Sequence, residues 1–167
     1  MLNGHTLNDN VFTGALIGTE LGLDINSIEH IEVVRGPGSV IYGTGAMLAV
    51  INIITKDGDY IDGMNFSAGI GSYGKKQTNF SFGRKIGNGF KFSISGLWGD
   101  IKGQDLYFKE YNYPDNNYGI AQNLDWDKFS GVMSKISFNN FTVQGMYTDR
   151  EKGIPTGSWE TNFNDPK

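Results

Sequence analysis

From Gly63 onward, apolar and polar residues alternate along the chain with a period of two. Such alternation predicts β-strands with one apolar face, because successive side chains of a strand point to opposite sides. Each run is about ten residues long, the length of a strand that spans a membrane. The apolar positions of the five runs are Met64, Phe66, Ala68 and Ile70; Thr78, Phe80 and Phe82; Phe90, Phe92, Ile94 and Trp98; Val132, Ile136 and Phe138; and Phe141, Val143 and Tyr147.

The connections between these runs are of two kinds. Residues 87–89 and 139–140 consist of Gly and Asn, which tolerate the positive φ of tight hairpin turns. A long polar segment covers residues 101–128, and a second irregular segment begins at Glu151. The pattern predicts antiparallel strands joined in chain order, with short turns at one end and long segments at the other.

Residues 28–56 follow a different pattern. An acidic, β-branched run leads into Gly36-Pro37-Gly38, and an apolar run over residues 50–55 ends in a lysine. This predicts a strand, a tight turn, a short helix or loop, and a second strand. Pro37 fixes one φ angle, and the flanking glycines permit positive φ or close backbone approach.

A glycine-rich turn after a strand also invites comparison with nucleotide-binding loops. Ile41 stands where the dinucleotide fingerprint needs glycine. Gly38 and Gly43 have the spacing of a P-loop, but Thr44-Gly45 replaces the required Lys-Ser/Thr pair. The glycines therefore indicate a compact turn rather than a phosphate site.

The composition narrows the classes of function. Among 167 residues there are 24 glycines, 13% aromatics and no cysteine, and the net charge is −4. These numbers favour strands and turns, and they argue against disorder, a disulfide scaffold and a nucleic-acid partner. His5 and His30 stand apart without further metal ligands, and no nucleophile–base arrangement is recognisable. We therefore expect neither an enzyme nor a bound cofactor or metal.

Residues 28–56 closely resemble the second half of the plug domain of TonB-dependent outer-membrane receptors. The family's R-G-P-G-S turn is matched by Arg35, Gly36, Pro37, Gly38 and Ser39, its Y-G by Tyr42 and Gly43, and its V-I-N-I-I-T-K strand by residues 50–56. Upstream, residues 3–9 resemble the family's D-G-x-x-L-N-D, with Asn3 in place of the usual aspartate. Ala49 stands where glycine is common.

The resemblance implies a mainly β fold: the C-terminal part of an α/β plug over residues 1–58, then about five antiparallel strands of an incomplete transmembrane barrel over residues 63–167. It further implies that the chain is a fragment of a receptor in the outer membrane of a Gram-negative bacterium. Such a receptor takes up a scarce ligand, such as a ferric siderophore, cobalamin or a glycan. Its partners are the outer-membrane lipid and a TonB-type energy-transducing protein, which acts through an N-terminal box not found in this chain.

In that arrangement the alternating strands have a lipid side and a lumen side. The residues expected to face lipid or its interface are Phe80, Phe82, Phe90, Phe92 and Trp98, and those expected to face the lumen are Asn79, Ser81, Ser93 and Ser95. Members of the family carry ion pairs between plug and barrel, and Glu29, Glu32 and Arg35 are the candidates on the plug side.

The long segment over residues 101–128 is rich in aromatic side chains. The candidates for ligand contact are Tyr107, Tyr111, Tyr113, Tyr118 and Trp126. Aromatic residues on loops give large contact areas at low entropy cost, but the same residues also suit the aromatic girdle of a barrel. Both roles stay open at this point.

An alternative function is a soluble or surface β-rich binding module without a transport role. A β-sandwich has the same alternation of apolar and polar residues, so alternation alone does not separate it from a barrel wall. The plug motif in front of the strands favours the receptor.

Overall fold

The computed structural model describes residues 1–9, 11, 14–43, 45–157 and 162–164, apart from the side chain of Ser39. The fold is mainly β, with antiparallel sheets, as the alternation predicted. None of the described helices is long and apolar enough to cross a membrane.

The first part of the chain is built on a two-stranded antiparallel sheet. Strand β1 (Ile28–Arg35) leads through the glycine turn into helix α1 (Ser39–Tyr42) and then strand β2 (Ala49–Thr55). The N-terminus extends this sheet, because the Asn3 amide donates to the Ile53 carbonyl at 2.8 Å. This is the strand, turn, short helix and strand expected from the sequence.

The short helix α2 (Gly58–Ile61) links this part to a five-stranded antiparallel sheet. That sheet contains β3 (Gly63–Ile70), β4 (Lys76–Ile86), β5 (Phe90–Ile101), β8 (Asp127–Phe138) and β9 (Phe141–Lys152), paired in this order. All five predicted strands are confirmed, and we call this sheet the wall. Its two short turns lie at 87–89 and 139–140, as expected.

The long connection over residues 101–128 contains structure that its polar composition did not predict. Strands β6 (Leu106–Tyr107) and β7 (Ile120–Ala121) pair as a small hairpin. A 3₁₀ helix, Lys109–Tyr111, and a kinked helical segment, Pro114–Gly119, lie between them. Strands of two residues are too short to show alternation, so the sequence pattern does not predict this pairing.

The register of the wall assigns its side chains to two faces. On one face, apolar residues lie opposite one another, for example Phe66 opposite Phe80 and Phe82 opposite Ile94. Many side chains of this apolar face are exposed: Met64, Phe66, Ile70, Phe80, Trp98, Val132, Ile136, Phe138, Phe141, Val143 and Tyr147.

The other face of the wall packs against the first part of the chain. Asn79, Ser81, Ser93 and Ser95 lie on this polar face and are buried. Leu97, Phe129 and Met133 share the face and are also buried. The wall therefore has one covered polar face and one apolar face that the described residues leave uncovered.

Candidate functional site

The turn after β1 is held by backbone hydrogen bonds to the segment in front of β2. The Gly36 amide donates to the Leu48 carbonyl, and the Gly38 amide donates to the Ala46 carbonyl, each at 2.9 Å. The Gly38 carbonyl accepts from the Tyr42 amide at 2.9 Å, which starts helix α1. The motif is thus one closed unit in which backbone groups satisfy each other.

The two glycines of this turn are required for different reasons. Gly36 has φ +98°, a conformation that favours glycine. Gly38 has no such φ, but a Cβ there would lie 3.1 Å from Cδ2 of Tyr42. Arg35 at the start of the turn is exposed, and the side chain of Ser39 lies outside the described part. The geometry gives this motif a conformational role.

A group of four charged residues, which we call the Asp57 cluster, joins the end of the first part and helix α2 to the wall. Lys91 Nζ lies 2.6 Å from Asp59 Oδ2 and 3.7 Å from Asp57 Oδ2. Lys135 Nζ pairs with the other oxygen of Asp57. Both lysines project from the polar face of the wall, and both aspartates flank the start of α2. The cluster therefore ties α2 to β5 and β8.

The contact with Lys91 favours the charged form of Asp59. Its hydrogen bond with Lys91 lowers the pKa of the Asp59 carboxyl, with a smaller opposing contribution from burial. A depressed pKa in the folded state means that the ionised carboxylate stabilises the fold above the pKa of the unfolded chain, about 3.9. That contribution is lost as the pH falls through the lower, folded-state pKa.

Helix α2 also approaches the wall backbone closely. A Cβ on Gly58 would lie 2.6 Å from the Arg84 carbonyl oxygen and 2.8 Å from the Phe92 carbonyl carbon. On the wall side, a Cβ on Gly83 would lie 2.6 Å from Cβ of Ile61. Two glycines therefore allow the helix to lie directly on β4 and β5.

We expect Gly58→Ala to destabilise the protein by about 1–3 kcal/mol, the usual cost of forcing extra atoms into a packed site. The added methyl has to displace α2 from the carbonyls of Arg84 and Phe92. Urea unfolding in detergent or lipid vesicles measures the change. Gly45→Ala is the matched control, because a Cβ at Gly45 meets nothing within 4 Å. Equal stability of the two variants would contradict the close packing of α2.

A second charged group lies at the opposite end of the wall. Arg150 Nε and Nη2 donate to the two carboxylate oxygens of Asp127 at 2.9 and 3.0 Å. Arg150 Nη1 reaches Glu20 Oε1 at 2.8 Å, and the Thr19 hydroxyl donates to Asp127 at 2.9 Å. Residues 19 and 20 belong to the first part, so the wall holds that part at both ends.

Asn3 adds a neutral bridge between the two parts. Its side-chain amide donates to Gln144 Oε1 and to Thr55 Oγ1, each at 2.9 Å. Its Oδ1 accepts from the Thr55 backbone amide at 2.9 Å. Aspartate, which is usual at this position in the family, has no donor for Gln144. The departure noted in the sequence thus supplies a contact with the wall.

Glu29, Glu32 and Arg35, the candidates on the plug side, lie on β1, and their pairing with the barrel stays a prediction. Glu29 and Glu32 both flank His30, each with an oxygen 3.6 Å from one of its ring nitrogens. Arg35 forms no ion pair with the residues that the structure describes. Sequence reasoning missed Asp57, Asp59, Lys91 and Lys135. A signal for them was present in the sequence, because Lys91 and Lys135 place positive charges on the polar face of predicted strands, where charged residues need partners.

The structure divides the aromatic candidates of the long connection into two groups. Tyr107, Tyr113 and Tyr118 are exposed. Tyr111 stacks on Phe163 with ring centroids 4.2 Å apart, and Lys128 lies over the Trp126 ring at 5.6 Å. The exposed group remains free to contact a ligand, whereas Tyr111 serves to pack the hairpin against residues 162–164.

A cavity of about 500 Å³ lies between the first part and strands β3 and β4, and its lining mixes polar side chains with the apolar Ile61, Phe66 and Phe80. Its lining includes Asn26, Lys56, Tyr60, Ser67 and Asn79. Within the described residues no group of three or more His, Cys, Asp or Glu side chains is placed to hold a metal ion. The contacts described above form an interface of hydrogen bonds and ion pairs between the first part and the wall.

Comparison of the sequence with known proteins identifies the family of the chain. No family model matches the chain. The chain is 34% identical over 128 residues to the vitamin B12 transporter BtuB of Vibrio vulnificus (strain CMCP6). The alignment covers 72% of this chain and 21% of that relative, so the chain spans about a fifth of the length of the relative. The plug motif, the two-faced wall and this similarity agree: the chain belongs to the TonB-dependent outer-membrane receptors.

Proposed function

We propose that this chain forms part of an outer-membrane transporter that takes up a scarce ligand with energy supplied by a TonB-type protein. In this proposal residues 1–58 belong to the plug and residues 63–167 to the barrel wall. The membrane is the outer membrane of a Gram-negative bacterium. The protein carries no catalytic activity of its own.

The observation that carries the proposal is the difference between the two faces of the wall. The polar face is bound to the first part of the chain through the Asp57 cluster and through Arg150. The apolar face exposes large side chains, with Phe66 at 70% of its full accessibility. Lipid stabilises such a face, whereas water does not.

The connections supply the orientation of the wall. In bacterial barrels short turns face the periplasm and long loops face the outside. The turns at 87–89 and 139–140 are then periplasmic, and residues 101–128 are extracellular. The Asp57 cluster lies near the periplasmic end, and Arg150 with Glu20 lies near the outer end.

Cobalamin is the ligand that we propose to test first, because the similar protein is a vitamin B12 transporter. Ferric siderophores and glycans are the competing ligands. The exposed side chains of Tyr107, Tyr113 and Tyr118 are the candidate contacts on the outer loop. Uptake of labelled cyanocobalamin by cells that lack their own B12 transporter, with and without the intact gene product, tests this directly.

We expect Arg35→Ala and Gly38→Val to reduce uptake while ligand binding at the cell surface persists. A larger side chain at Gly38 has to displace the Tyr42 ring, which distorts the turn without touching the outer loops. Parallel assays of whole-cell binding and uptake measure the two steps. Gly45→Val is the control, since the space at Gly45 is open. Unchanged uptake in both variants would contradict a transport role for the motif.

The alternative, a soluble β-rich binding module, makes a different prediction for the same gene product. A soluble module fractionates with the aqueous phase and needs no detergent. The receptor fractionates with outer membranes and requires detergent for extraction, because its apolar face is in contact with lipid. Cell fractionation therefore separates the two functions before any ligand is known.

A further inference from the structure

Two tyrosines have a backbone conformation that bulky residues rarely adopt. Eight described residues other than glycine have positive φ, and six of them are Asn or Asp, whose short polar side chains tolerate it. The two exceptions are Tyr73, with φ 57°, and Tyr118, with φ 53°. Both are exposed, at 59% and 62% of full accessibility, and both lie at the end of the wall with the long connections.

Backbone hydrogen bonds fix the conformation at Tyr73. The Gly71 amide donates to the Lys75 carbonyl at 2.8 Å, and the Lys75 amide donates to the Ser72 carbonyl at 3.1 Å. The Tyr73 carbonyl accepts from the Gly103 amide at 3.1 Å, which joins this turn to the start of the long connection. None of these bonds uses the tyrosine side chain, so glycine at position 73 would satisfy the same geometry.

Tyr118 is held in the same way. Its amide donates to the Tyr113 carbonyl at 3.0 Å, and the Phe108 amide donates to the Gly119 carbonyl at 2.8 Å. The neighbouring Asn117 is also left-handed and closes the turn by donating from Nδ2 to the Ile120 carbonyl at 2.9 Å. The surrounding bonds again dictate the backbone, and the ring projects into open space.

Strain of this kind persists where the residue itself is needed, because glycine or asparagine would relieve it at no loss of backbone bonding. We propose that Tyr73 and Tyr118 are ligand-contact residues on the outer surface, retained for their rings. The proposal rests on the proposed function and extends it. Tyr73 lies on the short connection of residues 71–75 between β3 and β4.

The chemistry of the side chain indicates the ligand class. A tyrosine ring offers a flat apolar face with one hydroxyl at its edge. Each ring suits stacking on an apolar ligand face, and its hydroxyl suits a polar substituent of the ligand, a combination that the cobalamin proposed above offers. The competing role is membrane anchoring in the aromatic girdle, where a tyrosine lies at the lipid interface and does not touch the ligand.

Glycine and phenylalanine replacements separate these roles in the intact receptor. For Tyr73→Gly and Tyr118→Gly we expect a higher unfolding midpoint and binding of cyanocobalamin weakened about five- to tenfold each, a typical loss for an aromatic contact. Tyr73→Phe and Tyr118→Phe keep the rings and should bind within about twofold of the unaltered receptor. Equilibrium binding to outer-membrane vesicles and unfolding in detergent provide both readouts.

Each result decides the proposal. Unchanged cyanocobalamin binding in both glycine variants would overturn it, and reduced membrane insertion in those variants would assign the rings to the girdle. If the unaltered receptor binds no cyanocobalamin, the proposed ligand is wrong. The binding comparison is then repeated with a ferric siderophore or glycan that the unaltered receptor binds, and unchanged binding in both glycine variants overturns the tyrosine proposal. A gain in stability for the glycine variants confirms the strain on which the proposal rests, whereas a loss shows that the rings pack structurally and overturns it.

Discussion

Replacing Phe66 by arginine is expected to block most of the receptor's assembly into the membrane. Phe66 lies near the middle of β3 on the apolar face and is 70% exposed. An arginine on the lipid side of a barrel costs about 2–4 kcal/mol at the middle of the bilayer. The amount of receptor in purified outer membranes, relative to unaltered protein, measures the effect.

Ser67→Arg is the matched control for this substitution. Ser67 is the next residue of the same strand, points to the opposite face, lies opposite Asn79 of the polar face and is exposed. An arginine there stays in a hydrated space, so we expect near-normal amounts in the membrane. Ser93 would be a poorer control, because it is buried against the first part. Equal levels of the two arginine variants would contradict the assignment of the faces.

Removal of one partner of the Asp57 cluster is expected to have the second-largest effect. The Lys135 side chain is only 16% exposed and pairs with Asp57, which is 31% exposed. Lys135→Met leaves that carboxylate partly buried without one of its two cations. We expect a loss of about 2–3 kcal/mol, near the low end for one-sided removal of a buried charge, because Asp57 retains some contact with water.

The test is a double-mutant cycle on unfolding in lipid vesicles. Asp57→Asn alone and Lys135→Met alone should each destabilise the receptor, whereas the double variant should lose less than the sum of the two. Acid tests the other ion pair of the Asp57 cluster, between Asp59 and Lys91. Since the pKa of Asp59 is lowered by Lys91, the stabilisation from that carboxylate should begin to decline at about pH 3.9 and be lost as the pH falls through the lower, folded-state pKa. Strict additivity in the cycle would show that the two side chains do not interact.

Much of the fold could be predicted from the sequence, because its signals are local. Period-two alternation predicted the strands of the wall, and Gly and Asn at 87–89 and 139–140 predicted its turns. The turn after Arg35 was predicted from Gly36 and Pro37 for the same reason. The β6–β7 hairpin was not predictable, since two-residue strands are defined by their partner rather than by a pattern.

The contacts between the two parts were harder to predict. These contacts join residues that are far apart in the chain, and a single sequence does not show which charged residues form ion pairs with each other. Within the described residues Glu29 and Glu32 flank His30, and their expected pairing with the barrel stays a prediction. Asp57 and Lys135 are 78 residues apart in number, and only the folded wall brings them together. The high glycine content likewise suggested turns, although Gly58 and Gly83 serve close packing.

The separation in sequence between contacting residues also bears on the order of folding. Strands β4 and β5 are joined by a three-residue turn, whereas the bond from Asn3 to Gln144 spans 141 residues. Loop closure costs more as the loop lengthens, by about 3 kcal/mol between these two cases. We therefore expect the hairpins of the wall to form early and the first part to dock late. Contacts that form late leave the folding rate almost unchanged and mainly slow unfolding, so we expect the bond from Asn3 to Gln144 to slow the release of the first part.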